Sequence, residues 1–185
     1  MAGESGFEND SLGAAQVLFT ARRFRVERVR QILSDGSVHQ REIVRHPGAV
    51  VVLPLLSHGR IVLLRNYRVA VGRTLIELPA GTCEPNEPAM VTAARELTEE
   101  TGYRARTLEP LLSFVMSPGI LDERMQAFVA RELTPGQQSL ERGEQIEPLV
   151  VDWEQAIGMI RRGEIEDAKT IATLLYFQAF VEKDV

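Results

Sequence analysis

The chain predicts an α/β sandwich, with helices covering both faces of a mixed sheet. Three observations lead there. Residues 16–78 read as a succession of short strands, some alternating and some continuously apolar, separated by turn residues. Residues 88–101 carry a helical period instead, and two further helical stretches follow residue 152. Strands mixed with two or three helices in a chain of 185 residues suit a layered domain built around one sizeable core.

The elements follow in order. Residues 1–15 are rich in Gly, Ser and acidic side chains and are expected to form a flexible N-terminus. Between Gln16 and Val44 two alternating segments flank Ser34-Asp35-Gly36-Ser37, and an Asp-Gly pair in that setting signals a hairpin. Strands are expected near 17–32, with room for a break, and at 38–45, making an N-terminal β-element over 16–46. Ala49–Leu56 and Arg60–Tyr67, around a turn at Ser57-His58-Gly59, read as core strands. Thr74–Leu78 is a further short strand running into Pro79-Ala80-Gly81.

Pro88–Thr101 forms a helix in which Met90, Ala93, Ala94 and Leu97 are expected to supply the buried stripe, opposite the carboxylates. Gly102 stands where a left-handed C-terminal cap is expected. Strands return at Leu108–Val115 and Arg124–Arg131. Thr134–Glu147, rich in Pro, Gly, Gln and Glu, reads as a mobile loop. Leu149–Asp152 is the last strand. Asp152 can cap the helix Trp153–Arg162, Gly163 ends it, and Asp167–Glu182 forms a strongly apolar final helix.

Composition narrows the function. A hydrophobic share of 44% and a charged share of 25% are those of an ordinary globular protein. The net charge of −5 argues against a surface that coats nucleic acid. The Arg-rich run Arg22–Arg30 alternates with Phe24, Val26 and Val29 and reads as the polar face of a strand. Cys83 is the sole cysteine, which excludes an intrachain disulfide and a cysteine cluster for zinc. The start, MAGESGFEND, lacks the chemistry of a secretory leader, and the apolar run near Val50–Leu56 is too short to span a bilayer. A soluble, cytoplasmic protein is expected.

The chemistry concentrates in Gly81–Tyr103, GTCEPNEPAMVTAARELTEETGY. On a helix Glu96, Glu99 and Glu100 stand at i, i+3 and i+4, so three carboxylates share one face. Their mutual repulsion destabilises a bare helix, and a hard cation reverses its sign. An acidic, solvated helix face is the plain alternative for any single Glu-Glu pair. The spacing argues against it here. Seven required residues, each at a usage of roughly 5–7%, coincide by chance on the order of once in 10⁸ windows.

Gly81, Glu87, Arg95, Glu96, Leu97, Glu99, Glu100, Gly102 and Tyr103 match, without gap or substitution, the motif G-x5-E-x7-R-E-U-x-E-E-x-G-U, where U is a bulky apolar residue. By this motif the chain resembles the Nudix hydrolases, and the resemblance runs from about Ala49 onward. It implies an α/β/α sandwich and a catalytic domain over 47–185. It also implies hydrolysis of a nucleoside diphosphate linked to another moiety, at the P–O–P bridge, with Mg²⁺ and, as a second choice, Mn²⁺. Carboxylate and carbonyl oxygens suit those ions, whereas zinc would favour His or Cys.

Carried over residue by residue, the resemblance makes Glu96 and Glu100 the main metal ligands, Glu99 a further ligand or orienting group, and the Ala80 carbonyl an extra ligand. Arg95 is expected to pair with Glu87 and tie the loop to the helix. Glu87 reads as support for the ligands, direct ligation being the alternative. Gly81 and Gly102 are structural, Gly81 by letting the loop approach the metals closely. The general base stays open between Glu99 or Glu100 and a loop carboxylate. Among Glu141, Glu144 and Glu147, Glu144 best resembles the loop glutamate of ADP-ribose pyrophosphatases, the alternative being a solvated acidic loop.

Three features point within the family. Pro118 lies 15 residues beyond Tyr103, in Ser117-Pro118-Gly119-Ile120-Leu121-Asp122-Glu123, which is similar to the SPGF-[ST]-DE segment of ADP-ribose pyrophosphatases except at Ile120 and Leu121. Arg65-Asn66-Tyr67-Arg68 with Glu77-Leu78-Pro79-Ala80-Gly81 resembles their RQYR…ELPAG pattern. It makes Arg68 the candidate to grip the diphosphate through its guanidinium fork. The N-terminal hairpin resembles the element through which these enzymes form homodimers, with Glu42 and Phe24 then facing the adenosine. An ADP-ribose or ADP-sugar pyrophosphatase is the expected activity. The alternatives are a hydrolase of the GDP-mannose type and, without catalysis, a sensor that binds ADP-ribose.

Overall fold

The structure is a computed structural model and describes residues 15–181. The expected flexible segment before residue 15 lies outside the described residues, as does Glu182 at the end of the last predicted helix. The chain divides into two compact units. One runs to His46 and includes Ser117–Glu123; the other comprises Pro47–Met116 and the chain from Arg124 onward.

The first unit is a three-stranded antiparallel sheet of β1 (Gln16–Thr20), β2 (Arg25–Ile32) and β3 (Val38–Arg45), in that order. The expected break in the first strand falls at residues 21–24. The β2–β3 turn follows from its residues. Asp35 accepts the N–H and the hydroxyl of Ser37, at 2.9 and 2.6 Å, and Gly36 takes φ +80°. Ser117–Glu123 is fastened to β3, where Val44 N–H donates to the Ile120 carbonyl and Arg45 pairs with Asp122 at 3.0 Å. Pro118 stands exposed in that segment.

In the second unit the sheet is split in two. One sheet has the order β7-β4-β9-β8, built from β4 (Ala49–Pro54), β7 (Ala80–Thr82), β8 (Tyr103–Val115) and β9 (Arg124–Pro135). β4 and β9 run parallel while the other pairs are antiparallel, which makes this sheet mixed. The other is antiparallel, β10-β5-β6, from β5 (Arg60–Arg68), β6 (Arg73–Glu77) and β10 (Ile146–Asp152).

The alternation along β4 explains the layers. Val50 and Val52 join Phe128 and Ala130 of β9 in a core closed by Ala93 and Leu97 of α1 (Ala89–Thr101). Ala49, Val51 and Leu53 point the other way, into a larger core. That core includes Trp153 and Ala156 of α2 (Trp153–Arg161) and Leu174 and Phe177 of α3 (Ala168–Phe180). A strand buried on both faces reads as an unbroken apolar run, as AVVVLP does.

Several expectations are corrected. Met90 is 46% exposed and Ala94 is exposed, so neither belongs to the buried stripe of α1. The stripe is Thr92, Ala93, Leu97, Glu100 and Thr101, and one of the carboxylates therefore lies in it rather than opposite it. The cause is helical phase: positions 93, 97, 100 and 101 follow i, i+4, i+7 and i+8. β8 starts five residues earlier than expected, β9 runs to Pro135 and β10 starts at Ile146, because long antiparallel pairing satisfies backbone groups that local propensity leaves undecided. These extensions shorten the expected mobile loop to residues 136–145, and that remainder is bonded to α1. β7, three residues long, was not anticipated. Asp152 occupies the N-cap position of α2, but its side chain accepts no capping bond; Asp167 does cap α3, accepting Thr170 N–H at 2.9 Å.

Candidate active site

The carboxylate face of α1 lies against the backbone of Ala80 and Gly81. Ala80 N–H donates to Glu100 Oε2 at 2.9 Å, and the Glu96 side chain packs so tightly over Gly81 that a Cβ there would overlap its Cδ and Oε1. Gly81 is thus required by close approach. The segment leading to it is held at each step. Leu78 N–H donates to Thr170 Oγ1 at 2.8 Å, and the Pro79 carbonyl accepts Val52 N–H at 2.8 Å.

Arg95 organises the rest of the motif. Its Nη2 lies 3.1 Å from Glu87 Oε2, and its Nη1 donates to Glu96 at 2.8 Å and to Glu99 at 3.0 Å. Thr92 Oγ1 also donates to Glu87 at 2.8 Å, so both Glu87 oxygens are engaged away from the other carboxylates. The hydrogen bonds from Arg95 and Thr92 hold the Glu87 carboxyl below its usual range.

The electrostatics of the helix face are those of crowded, buried acid. Glu100 is 3% exposed, and burial pushes its carboxyl up to about 8, with Glu96 adding repulsion against the opposing help of Ala80 N–H and Arg68. Burial also raises Glu96, with Glu99 and Glu144 repelling its charge. Glu144, half-buried in the 136–145 segment, repels Glu100 as well, whereas Glu141 and Glu147 are exposed.

Among the described residues no three His, Cys, Asp or Glu side chains converge as a finished metal cluster. The ion pairs to Arg95 and the bond to Ala80 N–H account for their present directions. The donor set still suits a hard divalent cation. It is all oxygen, it lies over Gly81 where no Cβ intrudes, and a cation would favour the ionised forms of Glu96 and Glu100 that burial, and after it the neighbouring carboxylates, oppose.

Arg68 closes β5 with its fork already engaged: Nε lies 3.0 Å from Glu77 Oε1, and Nη2 also bonds Glu77. Burial works against its charge, but Glu77, with Glu100 and Asp167, keeps the guanidinium above its usual pKa. Glu77, 1% exposed, also accepts Lys169 Nζ at 3.1 Å, and Lys169 reaches Asp167 at 2.8 Å. Sequence reasoning missed this buried network. A lone charge within Leu75-Ile76-Glu77-Leu78 was its available signal.

The remaining candidates belong to the first unit. Glu42, on β3, is exposed and pairs with Arg28 at 2.8 Å. Phe24, in the β1–β2 connection, lies 6.2 Å from the Phe19 ring.

Comparison with known proteins identifies the family. The NUDIX domain model matches residues 44–174. The chain belongs to the Nudix family. A protein named ADP-ribose pyrophosphatase from Bacillus subtilis (strain 168) is 40% identical over 148 residues, 79% of this chain and 80% of its own. The methanol dehydrogenase activator of Bacillus methanolicus is 35% identical over 93% of this chain and 94% of its own. A GDP-mannose pyrophosphatase of Escherichia coli O1:K1 / APEC is 37% identical over 78% and 81%. A solved structure titled as that of an ADP compounds hydrolase shares the fold, with TM-score 0.81, 21% identity and 95% of each chain covered. As a Nudix protein the chain is a hydrolase of the α/β/α class. Among the described residues no helix is long and apolar enough to cross a membrane.

Proposed function

We propose that this Nudix protein hydrolyses the diphosphate of ADP-ribose, or a related nucleoside diphosphate sugar, to AMP and a sugar phosphate. The observation that carries the reading is the stack of Glu96 on Gly81 and Glu100 on Ala80, an oxygen-lined, partly buried face with every motif residue in place. Glu96 and Glu100, with Glu99 and the Ala80 carbonyl, would hold Mg²⁺ or Mn²⁺. The cation supplies neutralisation of the diphosphate charge and a lowered pKa for water. Glu144 is the candidate to take the proton from the attacking water, since it is the half-buried carboxylate of the loop and the one whose charge is felt by both Glu96 and Glu100.

Arg68, held on Glu77, offers its remaining Nη1 to a phosphate oxygen without first having to be ordered. Glu42 and Phe24 are proposed for the adenosine end, and Pro118 as a further substrate contact. Exposed Val17, Phe19, Ile32 and Val38 on the N-terminal sheet support a homodimer formed through that element, with the first unit as its dimerisation part and residues 47–185 as the catalytic domain. A cytoplasmic location completes the proposal.

The test is release of phosphomonoester from ADP-ribose and from GDP-mannose, with Mg²⁺, with Mn²⁺ and with chelator. Preference for ADP-ribose with metal present is the expected result. Equal or reversed preference defeats the adenine reading and favours the GDP-mannose alternative, which the Escherichia coli relative supports. A regulatory reading draws on the Bacillus methanolicus relative; binding of ADP-ribose without turnover under every metal condition would favour it.

A further inference from the structure

Residues 136–145 leave β9 and return to β10, and their first part is fastened to the C-terminal end of α1. Gly136 and Gly102 meet backbone to backbone. A Cβ on Gly136 would come within 2.8 Å of the Gly102 carbonyl oxygen, and one on Gly102 within 3.0 Å of the Gln138 amide nitrogen. Ser139 N–H donates to the Glu99 carbonyl at 2.9 Å. Gln138 Nε2 donates both to the Glu100 carbonyl at 2.7 Å and to the Ile146 carbonyl at 3.2 Å. The last carbonyls of a helix have no partner within it, so these bonds cap α1 and seat the segment together.

The far part of the segment is closed on itself. Glu144 N–H donates to the Glu141 carbonyl at 3.1 Å, its carboxylate accepts Glu141 N–H at 2.8 Å, and Gly143 takes φ +100°. Ile146 marks the return to the sheet. Gln138 therefore links the helix that carries the carboxylates to the end of the segment that carries Glu144.

We propose that Gln138 is a positioning residue: by clasping the carbonyls of Glu100 and Ile146 it seats residues 136–145 on α1 and fixes how Glu144 approaches Glu96 and Glu100. The inference rests on reading Glu144 as the group that accepts the proton of the attacking water. A base acts only within hydrogen-bond reach, and a displacement of about 1 Å costs on the order of 10²-fold in rate. Gly102 gains a second reason to be glycine. Beyond its φ of +77°, it leaves the room in which the segment docks.

Two substitutions of Gln138 separate donation from mere bulk. Gln138→Glu keeps the shape but turns an acceptor toward two carbonyls, whereas Gln138→Lys restores a donor suited to a helix C-terminus. Gln138→Glu is expected to lower kcat about 10- to 100-fold with KM changed less than about twofold, and Gln138→Lys to recover most of the loss. In a Glu144→Gln enzyme, itself slowed about 10²-fold or more, Gln138→Glu should add less than about twofold. Hydrogen exchange at the Ser139 amide reads docking directly and should quicken in Gln138→Glu.

Equal losses of kcat in the two backgrounds overturn the proposal, as does faster exchange with kcat unchanged while Glu144 is present. Glu144→Gln turning over at the parental rate overturns the reading of Glu144 itself, and the proposal with it. That failure is recognisable because the single variant leaves Gln138 untouched.

Discussion

Replacing Glu100 with glutamine removes a carboxyl group whose native pKa burial has raised from 4.5 to about 8. In the metal-free protein at pH 7 that group is mostly protonated when folded and ionised when unfolded. Folding must therefore take up a proton against the solution. Between 4.5 and pH 7, at about 1.4 kcal/mol per pH unit, this costs roughly 3 kcal/mol. Glutamine has the same shape, can still accept Ala80 N–H through its amide oxygen, and pays nothing for the proton. For a chain of this size roughly 3 kcal/mol corresponds to a rise in Tm of about 6–12 °C.

The sign of the pH dependence follows from the raised pKa. The native state binds more protons than the unfolded one between 4.5 and about 8, so the metal-free parent should lose stability as pH rises through that window. The Gln variant should lack this component. Thermal melts from pH 5 to 8.5 in chelator, for parent and Glu100→Gln, measure both effects. Added Mg²⁺ should stabilise the parent most at high pH and the variant little, and hydrolysis should collapse in the variant. A Glu100→Gln protein that melts at or below the parental temperature in chelator at pH 7 would show that burial does not govern this group.

Gly81→Ala should displace the Glu96 side chain it would overlap, weakening Mg²⁺ binding and lowering kcat/KM by about 10²-fold while the far-UV spectrum is kept; a metal titration followed by thermal shift checks it, and parental affinity would refute it. Lys169→Met should cost about 3 kcal/mol or more in urea unfolding, because it leaves the buried Glu77 with one cation instead of two. Adding Glu77→Gln should restore part of that loss, and strict additivity of the two changes would count against the coupling. Phe19→Ser, on the exposed apolar side of the N-terminal sheet, should shift mass in solution from dimer toward monomer by light scattering, and an unchanged mass would remove that sheet from the dimer contact.

Much of the candidate site was legible because the features that define it are local. Glu96, Glu99 and Glu100 belong to one helical turn, and spacing alone assigns them a common face. Gly81 and Gly102 bracket them at fixed distances along the chain. Arg95 and Glu87, eight residues apart, also lie within reach of local reasoning. Other features were hidden by sequence distance. Glu77 and Lys169 are separated by 92 positions, and no local pattern says which buried charge meets which. The clasp of Gln138 on the Glu100 carbonyl crosses 38 positions and involves a backbone acceptor, which has no sequence signature. For that reason a segment of mobile composition proved to be fastened.

The fold divides along the same line. The apolar run within Ala49–Leu56 marks a core strand, and strands mixed with two or three helices imply helices on both faces of a sheet. The partners of that strand were not implied. That β4 lies parallel to β9, and that β5 pairs instead with β10 and β6, emerges only when distant strands find edges whose backbone groups need satisfying.

By itself the sequence determined which carboxylates share one helix face, since covalent spacing on a 3.6-residue helix leaves little choice about which side chains stand together. Only the tertiary structure decided how those groups are charged and aimed. It put Glu100 out of water, laid Glu96 over Gly81 and seated the segment carrying Glu144 on the end of α1. Burial and long-range backbone bonding depend on what the rest of the chain brings alongside, and no local pattern of residues encodes that.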